Sequence, residues 1–298
     1  MEAADYAVGW MPRCILLTPN LNHDRWIEAI RRACEAQGYQ FIFVQDCSQH
    51  PIQGEDNRVI LACDPRFLAP APQAEVTVIV ADVGTSVPQT AILTGAAAYD
   101  AVVDASDLLL RAVDYPCSRR LVISGADSRP VEVLSGVFAA PPPSSNASPA
   151  DAISAAAATA FQLYAAGAVA QGARARLMPG LFEYDERQSG DRRSPTLQTM
   201  GGPRWLLRGP GLALPPGEWE LAAIFSVDED AAKHRYAFDY GDREELTRLE
   251  ITPIRAGRYR LVTTMSLEQR ARFDMRFIIR EGSIEGQFEF FGAELRLL

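Results

Sequence analysis

Arginine and aromatic side chains stand close together in the C-terminal third of the chain and in the segment that leads into it. The candidate ligand-binding residues are Trp205, Arg204, Arg208, Arg192, Arg193, Tyr236 and Tyr240. Flat aromatic rings stack on the apolar faces of sugars, and arginine pairs with carboxylates such as those of uronic acids. This combination predicts carbohydrate recognition. The alternative interpretation is structural, with Tyr236 and Trp219 filling a core and the arginines forming a solvated face.

A second group of polar residues follows two predicted strands in the first half of the chain. This alternative site consists of Asn20, Asn22, His23, Asp24, Arg25, Asp82, Thr85 and Ser86. In open α/β sheets, ligands bind outside the carboxyl ends of the strands, so a sugar or phosphate site is predicted here. The competing interpretation is turn chemistry, in which Asn22 or Asp24 caps the following helix.

Signatures that would name a reaction are absent from the sequence. There is no G-x-G-x-x-G, no G-x-x-x-x-G-K-[ST] and no G-x-S-x-G, and Lys233 is the single lysine. Asp46 and Asp64 also end strands, where carboxylates either hold a divalent ion or form turns. We expect no catalytic residue, no metal and no cofactor, and leave open whether the protein is an enzyme.

Composition and charge restrict the partners. The 298 residues carry a net charge of −9, which disfavours nucleic acid and anionic membranes. No apolar run reaches the roughly 20 residues of a membrane span. Five cysteines without a C-x-x-C indicate free thiols in a reducing compartment. Residues 1–12 lack a secretory signal pattern, so we expect a flexible arm there and a cytoplasmic location.

The first half of the chain alternates short apolar runs with segments of helical spacing. The predicted strands are 14–18, 41–44, 59–62, 76–80, 101–103 and 121–124, and the predicted helices are 24–37, 88–99 and 107–113. Apolar strands without alternation are buried on both faces, and strands joined by helices form right-handed βαβ units. A doubly wound, Rossmann-like α/β domain is therefore predicted over 13–140.

The middle of the chain changes in composition. Residues 141–149 read PPPSSNASP, which is typical of a linker, and 150–170 are an alanine-rich helix. Residues 173–202 show little periodicity and are predicted to form a long loop. Together, 141–202 are expected to join two domains.

Strands with turn signals between them dominate the last third. The predicted strands are 205–207, 219–225, 235–238, 247–251, 259–264, 273–279 and 288–298. Alternation of apolar and charged residues, as in 272–277, places one face inward and one outward. An all-β antiparallel sandwich or jelly roll is predicted over 203–298.

The stretch GPGLALPPGEWEL at 209–221 resembles the opening of small jelly-roll domains, carbohydrate-binding-like, that occur in bacterial glycan-related proteins. The resemblance covers 203–298 and implies a role in surface-polysaccharide synthesis or recognition, without identifying a binding residue. The first half resembles one Rossmann-type lobe of a two-lobed glycosyltransferase. The second lobe, which normally holds the nucleotide, has no counterpart in this sequence.

These observations predict an accessory carbohydrate-binding protein whose partner is a bacterial surface polysaccharide or oligosaccharide. One alternative is an enzyme acting on an activated sugar, with its site at the strand ends of the first half. A second alternative is a structural scaffold that packs against a protein partner or forms a homo-oligomer.

Overall fold

A computed structural model describes residues 13–44, 57–68, 75–94, 96–123, 129–142, 152–185 and 195–298. The predicted arm at 1–12 lies outside these ranges. The first half begins β1 (Arg13–Leu17), α1 (His23–Ala36), β2 (Gln40–Val44), β3 (Arg58–Ala62) and β4 (Glu75–Ala81). It continues with α2 (Ser86–Thr94), α3 (Ala98–Asp114) and β5 (Arg119–Ile123).

The five strands form one parallel sheet in the order β2-β3-β1-β4-β5. A parallel sheet was predicted, but the fifth predicted strand is wrong, because 101–103 lie inside α3. Ala101, Val102 and Ala105 are buried at helical spacing, and a short apolar run alone does not distinguish a strand from a buried helix. The helix predicted over 88–99 is also divided, ending at Thr94 before α3 begins.

Both faces of the parallel sheet are covered. Ile15 and Leu17 point to the face that α1 covers through Trp26, together with the hairpin β6 (Val131–Leu134) and β7 (Val137–Ala139). Leu16, between them, faces the core that contains α2 and α3. Side chains alternate across a strand, so strands buried on both faces carry continuous apolar runs.

The segment between the halves is more ordered than the sequence indicated. It contains α4 (Ala152–Ala160), a 3-10 helix at Phe161–Tyr164, and the strands β8 (Arg174–Leu177), β9 (Glu183–Tyr184) and β10 (Thr196–Gln198). The predicted long loop over 173–202 is thus wrong for these three strands. They are too short to show a period, and pairing with distant strands, which sequence spacing does not reveal, stabilises them.

The last part of the chain consists of long antiparallel strands. They are β11 (Arg204–Leu214), β12 (Gly217–Val227), β13 (Tyr236–Asp242), β14 (Glu245–Ile251), β15 (Gly257–Leu267), β16 (Ala271–Ile279) and β17 (Gln287–Leu297). One sheet, here the front sheet, has the order β14-β13-β16-β11-β9. The other, the back sheet, has the order β10-β17-β12-β15, with β8 also paired to β17. The antiparallel β part was predicted, whereas jelly-roll connectivity and the domain limits stay predictions.

The two halves share one hydrophobic core. Residues of α3, α4 and both sandwich sheets belong to a single buried cluster. The approach of α3 to β11 requires a glycine, because a Cβ on Gly211 would lie 2.8 Å from Val103 Cγ2, and its φ of +70° is left-handed. The parallel sheet and the sandwich therefore do not pack as separate bodies.

Candidate functional site

A β-bulge in β11 brings Trp205 and Arg208 to the same face of the front sheet. Trp205 pairs with Ile278, and Leu207 pairs with Phe277, so Leu206 is an extra residue. In a regular strand, residues three positions apart point to opposite faces, and the extra residue removes that difference. The Arg208 guanidinium carbon consequently lies 5.1 Å from the centre of the Trp205 ring. This cation–π contact faces outward from the sandwich.

Two arginines stand directly opposite each other on this outer face. Arg208 of β11 pairs in register with Arg276 of β16. Directly opposed like charges destabilise a sheet unless other charges compensate them. Arg208 donates its Nε to Glu183 Oε2 at 2.6 Å, and Arg276 Nη2 lies 3.4 Å from Asp274 Oδ2. On their outer sides Arg208 faces Glu183 and Arg276 faces Asp239 in register, so acids flank the pair. The buried Nε of Arg276 has no hydrogen-bond partner among the described residues.

The same residues line an open groove of about 360 Å³, here called the Trp205 groove. It is lined by Arg204, Trp205, Arg208, Arg276, Ile278 and Arg280, together with Pro203 and Ile279. Arg280 contacts Glu250 only at 3.8 Å, beyond hydrogen-bond distance. An indole ring, two isoleucines and four guanidinium groups thus meet around one depression.

Arg204 has a structural position in this groove. Its side chain is 8% exposed and is paired with Asp185. It also donates to the carbonyl oxygens of Gln198 at 2.8 Å, and of Thr199 and Gly202 at 3.2 Å. These bonds engage every nitrogen of the guanidinium, so Arg204 fixes the segment before β11 and has little capacity for a ligand.

The predicted tyrosines lie in the sandwich core. Tyr236 is 1% exposed and donates its hydroxyl to Ala231 O at 2.7 Å, while the Tyr240 hydroxyl accepts from Thr263 Oγ1 at 2.8 Å. Trp219 is also buried, with Nε1 donating to Pro215 O at 3.2 Å. Tyr236 and Trp219 thus lie in the core, as the structural interpretation has it, and Tyr240 is buried there as well. Arg192 and Arg193 lie outside the described residues.

The strand-end residues form a hydrogen-bonded turn. Asn20 is fully buried, donates to Thr18 O at 2.9 Å and accepts from Asn22 N at 3.0 Å. Thr85 Oγ1 accepts from Leu21 N at 3.1 Å, and Ser86 Oγ donates to Pro19 O at 2.8 Å. These bonds tie the end of β1 to the end of β4. The hydroxyls of Thr85 and Ser86 therefore satisfy backbone groups of this turn.

The buried His23 and the half-buried Cys63 form a pair beside this turn. His23 is 1% exposed, and its Nε2 lies 3.0 Å from Cys63 Sγ. Burial lowers the pKa of His23 and raises the pKa of the Cys63 thiol to about 12, so both groups are neutral at pH 7. Asp24 and Arg25 are exposed on α1, and the Asn22 side chain makes no capping hydrogen bond.

Asp82 follows β4 in a left-handed conformation, with a φ of 43°. It borders a pocket of about 390 Å³ that Val83, Val122, Gln162 and Ala165 also line. Thr85 lines the same pocket, whereas no histidine or cysteine of the described residues does. Two residues of the alternative site, Asp82 and Thr85, therefore share this pocket, and His23 lies outside its lining.

Of the two carboxylates considered for a metal, Asp64 is bonded to an arginine. Asp64 accepts from Arg66 N at 2.9 Å and from its Nε at 2.7 Å. Asp46 falls outside the described residues. Within the described ranges, no three His, Cys, Asp or Glu side chains form a group that could hold a metal ion. No described helix is both long and apolar enough to cross a membrane.

Sequence reasoning missed Arg276, Arg280 and Glu183 as parts of the site. The signal available was the alternation of 272–280, which places Arg276, Ile278 and Arg280 on one face. What the sequence lacked was the pairing of β16 with β11, which brings these residues beside Trp205.

Comparisons with known proteins give only distant likenesses. No family model matches the chain, and no curated protein does. TmCBM61 in complex with β-1,4-galactotriose has a TM-score of 0.27 at 10% identity, over 35% of this chain and 69% of that one. The C-terminal CBM6 of the laminarinase LamC from Zobellia galactanivorans has a TM-score of 0.24 at 12% identity, over 33% and 73%. A family 16 carbohydrate binding module has a TM-score of 0.25 at 14% identity, over 38% and 82%. Likenesses of this size assign no ligand to this chain.

Proposed function

We propose that this protein binds acidic carbohydrate chains in the Trp205 groove, with carboxylate-bearing sugars as the ligand class. The observation that carries the proposal is the directly opposed pair Arg208 and Arg276 beside the indole of Trp205. Two opposed guanidinium groups bind an anion between them, because the anion removes their repulsion and accepts charge-assisted hydrogen bonds.

The groups available in the groove match a carboxylate on a sugar ring. Arg208 uses only its Nε for Glu183 among the described residues, which leaves its two terminal nitrogens as donors. Opposed residues in antiparallel strands have Cβ atoms about 5 Å apart, so both arginines reach the same carboxylate. Trp205 and Ile278 provide the apolar surface on which the ring lies.

The groove also selects by charge. Arg280 adds a third cation at the end of the groove, and its nearest acid, Glu250, is 3.8 Å away. The chain as a whole carries a net charge of −9, so a local cluster of cations differs from its surroundings. A neutral sugar would gain the aromatic contact and leave the arginine repulsion in place. We therefore propose preference for acidic over neutral chains.

The wider role follows the resemblance of 203–298 to glycan-related jelly-roll domains. We propose that the acidic chain is a bacterial surface or exopolysaccharide, or a precursor of one, and that the protein acts in the cytoplasm. The enzyme alternative receives less support, because Asn20, Thr85 and Ser86 are engaged in the turn that joins β1 to β4. The scaffold alternative stays a prediction.

Calorimetric titration of the full chain with tetragalacturonate tests this function, with maltotetraose as the neutral comparison. We expect saturable heat with the acidic tetramer and a much weaker response to the neutral one. Arg208→Gln removes one charged donor from the exposed face of β11 without changing the strand. The affinity for tetragalacturonate should therefore fall about tenfold or more. Trp205→Ala should weaken binding to both sugars.

Arg32→Gln is the matched control, since Arg32 is an exposed arginine on α1, far along the chain from the groove. It should bind like the unmodified protein. Equal affinity of the Arg208→Gln and Arg32→Gln variants would reject the Trp205 groove as the site. Equal binding of tetragalacturonate and maltotetraose would reject the proposed preference for acidic sugars.

A further inference from the structure

The back sheet carries a second bulge that also exposes an aromatic ring. Ile224 pairs with Gly292 and Phe225 pairs with Phe290, so Phe291 is an extra residue of β17. The Arg258 guanidinium carbon lies 4.2 Å from the centre of the Phe291 ring. Gly292 permits the bulge, because its φ is +111° and a Cβ there would lie 2.7 Å from Leu177 O.

A groove of about 160 Å³ lies beside Phe291 on the outer face of the back sheet. Its floor is formed by small or apolar residues, Ala222, Ile224 and Gly292, and Arg176 and Arg260 stand at its sides. Arg176 belongs to β8 and Arg260 to β15, which are three strand steps apart, or about 14 Å. We call this depression the Phe291 groove.

The arginines of the Phe291 groove form no ion pair among the described residues, although Glu294 lies directly opposite Arg176 in the pairing of β8 with β17. Among the described residues, Arg176 and Arg260 form no ion pair, and Arg258 contacts only the Phe291 ring. Glu294 is the acid in the lining, and it pairs with Arg174 at 3.3 Å. Exposed arginines in a chain of negative net charge ordinarily find carboxylates, so unpaired cations around an aromatic ring favour an external anion.

From this geometry we infer a second binding groove for carboxylate-bearing sugars, on the face opposite the Trp205 groove. The ligand class rests on the proposed function, whereas the site itself rests on Arg176, Arg260 and Phe291. A small, flat floor accepts a sugar ring and the phenyl edge packs against it, while the two arginines pair with carboxylates of different sugars along the chain. The protein then has two sites on opposite faces and can link two molecules of a long acidic polysaccharide.

Titration of three full-length proteins with tetragalacturonate separates the two grooves. The unmodified chain should bind two tetramers. Arg176→Gln with Arg260→Gln should bind one, in the Trp205 groove, and Arg208→Gln with Arg276→Gln should bind one, in the Phe291 groove. Each pair of substitutions should weaken its own groove about tenfold or more. Thermal unfolding of the Arg176→Gln, Arg260→Gln protein should match the unmodified chain, because neither side chain forms an ion pair in the described part of the chain.

Cross-linking gives a second readout. Turbidity with long polygalacturonate should rise for the unmodified protein and stay low for both variants. A protein with one site cannot join two polysaccharide molecules. A stoichiometry of one that is insensitive to Arg176→Gln and Arg260→Gln overturns this inference and leaves the proposed function intact. Loss of all binding in that variant, with Arg208→Gln silent, supports the Phe291 groove and overturns the Trp205 groove. No heat from the unmodified chain overturns both.

Discussion

The edge of β11 depends on two side chains from outside the sandwich, one from α3 and one from the segment between the halves. Among the described residues, β9 pairs with β11 at Leu207 and Arg208, and the backbone of Ala213 is bonded by side chains instead. Tyr164 donates its hydroxyl to Ala213 O at 2.6 Å, and Ser106 Oγ accepts from Ala213 N at 3.1 Å. All three residues are buried, so water does not replace these bonds. Tyr164→Phe removes one bond without changing the packing volume appreciably.

The expected loss follows from the burial of the acceptor. A buried polar group left without its hydrogen-bond partner costs about 1–3 kcal/mol, and Ala213 O becomes such a group. The phenyl ring of the variant keeps the contact with Phe161, whose centre lies 5.8 Å away. We therefore expect the free energy of unfolding to fall by about 1–3 kcal/mol. Tyr259→Phe is the control, because its 2.5 Å bond to Arg255 O is exposed and water replaces it.

Urea denaturation followed by tryptophan fluorescence and by circular dichroism measures both variants. The Tyr164→Phe transition should move to lower urea in both signals, because the halves share one core, whereas Tyr259→Phe should stay within about 0.5 kcal/mol of the unmodified chain. A Tyr164→Phe variant as stable as the Tyr259→Phe control would refute the role given to this bond.

Three further predictions concern buried groups. Burial raises the pKa of Asp274, so the stability of the fold should fall as the pH rises through that pKa. Asp274→Asn should therefore raise the Tm at pH 7 in calorimetry. An equal gain in Tm near pH 4 would contradict the role given to the buried charge. The Cys63 thiol, with a pKa of about 12, should react with iodoacetamide at pH 8 only after unfolding, as mass spectrometry would detect; prompt labelling of the native chain would argue against it. Gly211→Ala should destabilise the protein by about 2–4 kcal/mol, and Val103→Ala should partly restore stability in the double variant; the absence of rescue in denaturation would exclude a steric cause.

Local patterns predicted most of the strands. The runs at 14–18, 59–62 and 76–80 became neighbouring strands of a parallel sheet, because continuous apolar residues suit burial on both faces. The run at 101–103 was misassigned for the same reason, since a buried helix is equally apolar. Strands β8 to β10 were missed because their stability comes from pairing with residues distant in the sequence.

The site was partly predictable. Trp205 and Arg208 were identified by residue type, and the structure does bring them together. The bulge at Leu206, which places them on one face, has no sequence signal, and Arg276 joins them only through strand pairing. The sequence left two interpretations open for Tyr236, because aromatic residues occur in cores and in sugar sites alike, and the structure places it on the inward face of β13.

A crystal structure of the full chain with tetragalacturonate tests the central claim most directly. We expect a sugar carboxylate between the guanidinium groups of Arg208 and Arg276, with the ring against Trp205. Density for the tetramer elsewhere on the molecule, with the Trp205 groove empty and Arg208 still paired only with Glu183, would contradict the proposed function.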